Sequence, residues 1–145
     1  MDWHLVFRLA NLFALICWII LIFAPRREIV FTGLRDGAVG LLSLLYASVL
    51  ISMMLAPPAG SEGGDFSSIE GVRALFASDP GITLGWVHYL AFDLFVGLWV
   101  AKNSDEIGLS RIVQAPILVP TFLFGPAGLL IFLIVRRIHL ARKTA

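Results

Sequence analysis

Gly85-Trp86-Val87-His88-Tyr89-Leu90-Ala91-Phe92-Asp93-Leu94-Phe95-Val96-Gly97-Leu98-Trp99 lies inside a longer run, Pro80 to Ala101, whose only ionisable side chains at membrane depth are His88, Tyr89 and Asp93. An α-helix rises about 1.5 Å per residue, so roughly 20 such residues cross the ~30 Å hydrocarbon core of a bilayer. Working outward with the same measure finds three more runs. Leu9 to Ala24 is uncharged and extends back to Trp3 past Arg8, whose long side chain can snorkel to the interface. Gly37 to Ala59 and Ile112 to Val135 hold no charge at all. The expected fold class is all-α: an integral membrane bundle of four transmembrane helices, with spans at about 3–24, 37–57, 81–101 and 113–137 in a single transmembrane domain over 1–145.

Composition agrees. Of 145 residues, 59% are hydrophobic and 14% charged, with a mean hydropathy of +0.90, whereas soluble domains carry about 25% charged residues. Disorder requires low hydrophobicity and high net charge, and here 11 Lys and Arg against 10 Asp and Glu leave +1. No basic block is present to neutralise phosphates, which excludes nucleic acid as a partner. The single cysteine, Cys17, cannot form an internal disulfide or a cysteine-based metal site. The opening Met1-Asp2-Trp3-His4 lacks the basic n-region of a cleaved signal, so the first span is expected to be a retained anchor. With four spans, the basic residues divide almost evenly. Arg8, Arg73, Arg136, Arg137, Arg142 and Lys143 fall on one side, and Arg26, Arg27, Arg35, Lys102 and Arg111 on the other. The dense tail from Arg136 to Lys143 then leans toward both termini in the cytoplasm.

Between spans two and three, Pro57-Pro58-Ala59-Gly60 and Gly63-Gly64 break the helix and make a flexible connector. Asp65 reads as an N-cap, and Phe66, Ile69, Val72, Leu75 and Phe76 recur at helical spacing before Asp79-Pro80. A short amphipathic interfacial helix is expected over about 65–78. Such a helix either covers the end of the bundle or acts as a lid over a site.

On the third span, at about 100° per residue, Trp86, Tyr89, Asp93 and Gly97 form one stripe and His88, Phe92, Phe95 and Trp99 another. A carboxylate near the bilayer centre costs at least about 2.5–3.5 kcal/mol on insertion scales, so Asp93 should face the bundle and have a partner. Asn11 on span one, Tyr46 on span two and Thr121 on span four come to similar depth. Asp93 then has two readings: a structural hydrogen bond locking two helices, or an acid, base or ligand-orienting group. His88 is either an interfacial histidine bonding a carbonyl or a titrating group in a site. One His and one Asp on different faces do not form a metal ligand set. In span four, Pro116, Pro120 and Pro126 each lack an N–H and clash with the preceding turn, so a kinked or broken helix is expected. Broken helices in membranes usually line a cavity.

The string Trp86-x-His88-x-x-Ala91-x-Asp93-Leu94-Phe95, followed by Phe124-Gly125-Pro126-x-Gly128-Leu129-Leu130, resembles the abscisic-acid-deficient-four-like family, small membrane proteins whose plant members are linked to neoxanthin synthesis. Asn11, Trp18 and Pro25 before Arg26-Arg27 suit the same pattern. The resemblance implies a membrane protein acting on or beside a carotenoid. In plants the implied conversion, violaxanthin to neoxanthin, is an isomerisation that opens an epoxide and forms an allene. With no Arg- and Ser-rich transit segment, the chain reads as a prokaryotic member, expected in the bacterial inner (cytoplasmic) membrane.

Such an isomerisation needs an acid for the epoxide or polyene and a base for a proton a few bonds away. Asp93 and His88 suit these catalytic roles by type, though about 140° separates them on one helix. Trp86, Tyr89, Phe92, Asn11, Tyr46, Thr121 and Phe124 would contact the substrate. Two other classes stay open: a carotenoid-binding or accessory protein without turnover, and a small transporter suggested by the charged midspan and broken helix. Four helices alone enclose little volume, so a homodimer or a larger pigment–protein assembly would serve any of the three. No cofactor is designated.

Overall fold

The computed structural model of the chain describes residues 1–59 and 64–144. Among these the architecture is all-helical: α1 (Trp3–Phe23), α2 (Glu28–Thr32), a π-helical stretch (Gly33–Val39), α3 (Gly40–Leu55), α4 (Ile69–Leu75), α5 (Asp79–Glu106), α6 (Arg111–Phe124) and α7 (Pro126–Thr144). The chain divides into two compact units, Met1–Ala14 with Gly40–Ala91 and Leu15–Val39 with Phe92–Ala145, and α1 and α5 run through both.

Three helices are long and apolar enough to cross a bilayer: Trp3–Phe23, the joined rod Glu28–Leu55 and Asp79–Glu106. The first and third match the expected spans within a turn or so. The second starts well before residue 37, because Arg35 and Asp36 do not stop it. They neutralise each other through two bonds, Nε to Oδ1 at 2.6 Å and Nη2 to Oδ2 at 3.0 Å, so the backbone stays helical through them. Large apolar side chains such as Leu12, Leu44 and Phe124 stand more than half exposed, as lipid-facing positions should.

In the first unit, Asp2 caps α1 by accepting from the Leu5 amide at 3.0 Å. The interfacial helix expected over 65–78 is confined to Ile69–Leu75. Its N-cap is Ser68, whose hydroxyl accepts from the Gly71 amide at 3.0 Å, and not Asp65. The Asp65 carboxylate is engaged one step earlier, accepting from the amides and hydroxyls of Ser67 and Ser68. Those bonds, the Ser67 hydroxyl first, hold its pKa below the usual aspartate value. Of the expected connector, Gly60 and Gly63 lie outside the described residues.

In the second unit, the expected fourth span is divided. Pro116 and Pro120 remain inside α6, and the break falls later, at Gly125, with Pro126 opening α7. Proline suits that first helical position, where its missing N–H would have no partner anyway. α6 descends alongside the second half of α5 in the opposite direction. Near its start the Gln114 amide donates to Asp105 Oδ1 at 2.7 Å and the Leu109 carbonyl at 2.8 Å. At its end, Gly125 lies against Asp93, the midpoint of α5. α7 then turns back along α5: the Trp99 and Phe132 rings sit 5.5 Å apart, and Lys143 Nζ donates to the Ile107 carbonyl at 2.6 Å. The two helices form a hairpin whose tip is Gly125. Gly128 packs on the backbone of Thr121 with no room for a Cβ, which lets the arms close.

Polar bonds tie the open end of the hairpin to α1 and α5. Arg111 Nη2 donates to the carbonyls of Ile22 and Ala24 at 2.7 and 2.8 Å, and Arg26 Nη2 donates to Gln114 Oε1 at 3.1 Å. Burial pulls the Arg26 guanidinium pKa down, and Asp105, 3.9 Å away, opposes the shift.

Candidate functional site

The first unit contains a cavity of about 510 Å³. Its walls are the facing sides of α3 and the first half of α5, with Pro57, Phe66, Leu75 and Phe76 at one end. The length of its α3 wall, from Tyr46 to Met54 and on to Pro57, corresponds to roughly 16 Å of helical rise. The lining is apolar over most of that length, through Leu50, Met53, Leu84 and Phe76. Methionine suits an irregular or adaptable ligand surface because its unbranched thioether repacks easily.

Tyr46 and His88, both on the lining, bring their rings to 5.6 Å at an interplanar angle of 54°. A hydroxyl and an imidazole therefore meet the apolar channel away from α4. Gly85 and Gly81 make α4's docking on α5 tight. A Cβ on Gly85 would collide with the Phe76 ring, and one on Gly81 with the Leu75 carbonyl. The end of α4 is thus packed directly on the start of α5.

The aromatic stripe on the other side of α5 is structural in its contacts. Trp86 stacks between Phe7 and Tyr89, at centroid distances of 5.6 and 5.2 Å. Its indole Nε1 donates to Asn11 Oδ1 at 2.9 Å, and the Asn11 amide donates to the Phe7 carbonyl at 2.7 Å. Asn11 is therefore the partner of Trp86, with its own amide turned back onto α1.

Asp93 belongs to the second unit, where it is 92% buried. Its carboxylate lies against Gly125, whose carbonyl closes the first turn of α7 by accepting from the Leu129 amide at 3.0 Å. The N-terminus of a helix carries roughly half a positive charge and amides without helical partners. The Asp93 carboxyl thus sits beside the start of the 19-residue α7. Thr121 is fully buried and donates within its own helix to the Ile117 carbonyl at 2.8 Å. Phe92 and Phe124 are exposed. Of the residues expected around a substrate, Tyr46 and His88 are brought to one cavity, Asn11, Trp86 and Tyr89 to a packed aromatic cluster, and Asp93 and Thr121 to the hairpin.

Sequence reasoning missed the rest of the cavity wall, notably Leu50, Met53 and Phe76. The available signal was the four-residue spacing of Gly81 and Gly85 with His88 and Tyr89 on the next turn. Among the described residues no group of three or more His, Cys, Asp or Glu converges as a metal site.

An all-helical chain with three helices long and apolar enough to cross a bilayer fits a small integral membrane protein. The family model described as ABA DEFICIENT 4-like matches residues 5–132, most of the chain, and the protein belongs to that family. Comparison with curated proteins and with solved structures finds no match.

Proposed function

We propose that this protein binds one end of a carotenoid, or a polyene of similar shape, in the cavity beneath α4 and isomerises it by acid/base chemistry centred on His88. The observation that carries this reading is the cavity itself: long, apolar and adaptable along its length, with an imidazole and a phenol on its wall. Family membership supports the ligand class, since plant relatives are linked to neoxanthin synthesis. The cavity is shorter than the ~30 Å bilayer core, so a membrane-spanning polyene would place one end group inside and leave its remainder among lipid tails.

The chemistry needs no change in atom count. A proton goes to the epoxide oxygen as its C–O bond breaks, and another leaves a carbon along the chain, its electron pair forming the new unsaturation. The two transfers balance. His88 is the base in this scheme, and the Tyr46 hydroxyl holds or supplies the proton at the oxygen. Asp93 takes the structural role, its carboxyl packed against Gly125 and away from the cavity lining. The full membrane description consistent with this reading is a protein of the bacterial inner membrane whose fourth hydrophobic segment is interrupted at its prolines and glycines.

Expression in a carotenoid-producing bacterial host tests it. The purified protein should absorb between about 350 and 550 nm, and extracts should contain an isomer absent from the empty host. His88→Gln should keep the bound pigment and lose the isomer. A colourless wild-type protein with an unchanged pigment profile would refute the carotenoid reading. Bound but unaltered pigment in both proteins would favour an accessory, binding-only role. Loss of the isomer in Asp93→Asn, with folding intact and His88→Gln still active, would return the catalysis to Asp93.

A further inference from the structure

We propose that the α6–α7 hairpin is re-entrant: the chain crosses the bilayer three times, its cationic end is cytoplasmic, and the cavity beneath α4 is loaded from the opposite, non-cytoplasmic leaflet. The last of these statements rests on the cavity being the ligand site; the first two do not.

Length comes first. α6 has 14 residues, about 21 Å of rise, and the apolar part of α7 runs only from Pro126 to Val135 before Arg136 and Arg137, about 15 Å. Neither crosses ~30 Å of hydrocarbon. The geometry agrees, because Gly125 meets α5 at Asp93, midway along that helix, and both arms return to its Glu106 end. Lys143 and His139 reach the Ile107 carbonyl at 2.6 and 3.1 Å, and Gln114 reaches Asp105 at 2.7 Å. A helix leaving the bilayer centre at Pro126 arrives at the interface after about 10 residues, where Arg136 and Arg137 begin. Backbone turns at membrane depth are tolerated only when buried in protein, and Gly125, Gly128 and Thr121 are all buried.

The charge distribution then changes. A hairpin that returns puts Arg136, Arg137, Arg142 and Lys143 on the same side as Arg26, Arg27, Arg35, Lys102 and Arg111. Of the 11 Lys and Arg, only Arg8 and Arg73 remain on the other side. An even split that could not orient four spans becomes nine against two, which the positive-inside rule reads as a cytoplasmic C-terminus and a non-cytoplasmic N-terminus. The expectation of both termini in the cytoplasm is thereby reversed for the N-terminus. α4 and the cavity residues Gly81 and Gly85 lie at the N-terminal end of α5, the opposite end of that helix from Lys102.

Membrane-impermeant maleimide labelling of single cysteines, in spheroplasts of a carotenoid-producing host, tests the proposal. The positions are Ser67→Cys, Ser110→Cys and Ala141→Cys, with the parent chain and its buried Cys17 as background. Ser67→Cys should label in intact spheroplasts, and Ser110→Cys and Ala141→Cys only after permeabilisation. Ala141→Cys labelling together with Ser67→Cys and apart from Ser110→Cys would establish a fourth crossing and overturn the hairpin. Ser110→Cys and Ala141→Cys labelling in intact spheroplasts, with Ser67→Cys protected, would overturn the orientation. Met53→Cys, half-buried on the cavity wall, separates the two readings. Its labelling should fall several-fold when the host makes carotenoid; labelling indifferent to carotenoid would reject the ligand site and outer-leaflet loading, whatever the other three positions report.

Discussion

Gly97 and Asn11 both lie where α1 meets α5, and they do so with different strengths. A Cβ on Gly97 would strike the six-membered ring of Trp18, which is itself 99% buried and 5.4 Å from the Phe122 ring. Overpacking of that kind costs about 1–3 kcal/mol. The Asn11–Trp86 hydrogen bond is an interhelical bond between half-exposed groups, and such bonds in membranes average about 0.6 kcal/mol. Packing therefore outweighs the polar contact. Gly97→Ala should lower the thermal midpoint in detergent, followed by size-exclusion after heating, clearly more than Asn11→Leu does; equal or inverted losses would mean that the Trp86 indole is held mainly by its bond.

At the scale of elements, glycines divide by what surrounds them. Gly33, Gly37 and Gly40 have nothing within 4 Å of an added Cβ, so alanine there should be neutral or stabilise the rod by about 0.5–1 kcal/mol. Gly128 faces the backbone of Thr121, which no rotamer change can clear, and Gly128→Ala should open the hairpin and expose its arms to limited proteolysis. Resistance equal to wild type would show that the hairpin can separate without loss. The same contrast marks what the sequence could disclose. Runs without charge measure how much chain is apolar, and they located α1, α3 and α5 well. They carry no sense of direction, so an apolar stretch that enters and returns reads like one that crosses. The placement of Asp65 failed for a related reason: Asp65 and Ser68 are both good capping residues, and only the turn through Ser67 decides which of them meets the helix.

For the molecule as a whole, one unit carries a large cavity and the other holds the buried Asp93 and the hairpin. Tyr46 and His88 were legible as chemical groups, yet their meeting across α3 and α5 was not, because facing sides of separate helices leave no trace in either helix's own periodicity. Filling the cavity should separate ligand binding from folding. Leu50→Trp puts an indole into the space between α3 and α5, and should cut pigment retention at least several-fold while the thermal midpoint in detergent stays within a few degrees of wild type. Full pigment retention in that variant would place the ligand elsewhere.

The packing of Asp93 against Gly125 has a consequence for how the chain is made. α5 is the least apolar of the three long helices and carries its carboxyl at mid-length, while Gly125, which packs against it, is translated only after α5 and α6 are complete. During synthesis the contact that Asp93 makes with Gly125 therefore forms only after α6 has emerged. The surroundings of Asp93 are completed late, by a segment made after it.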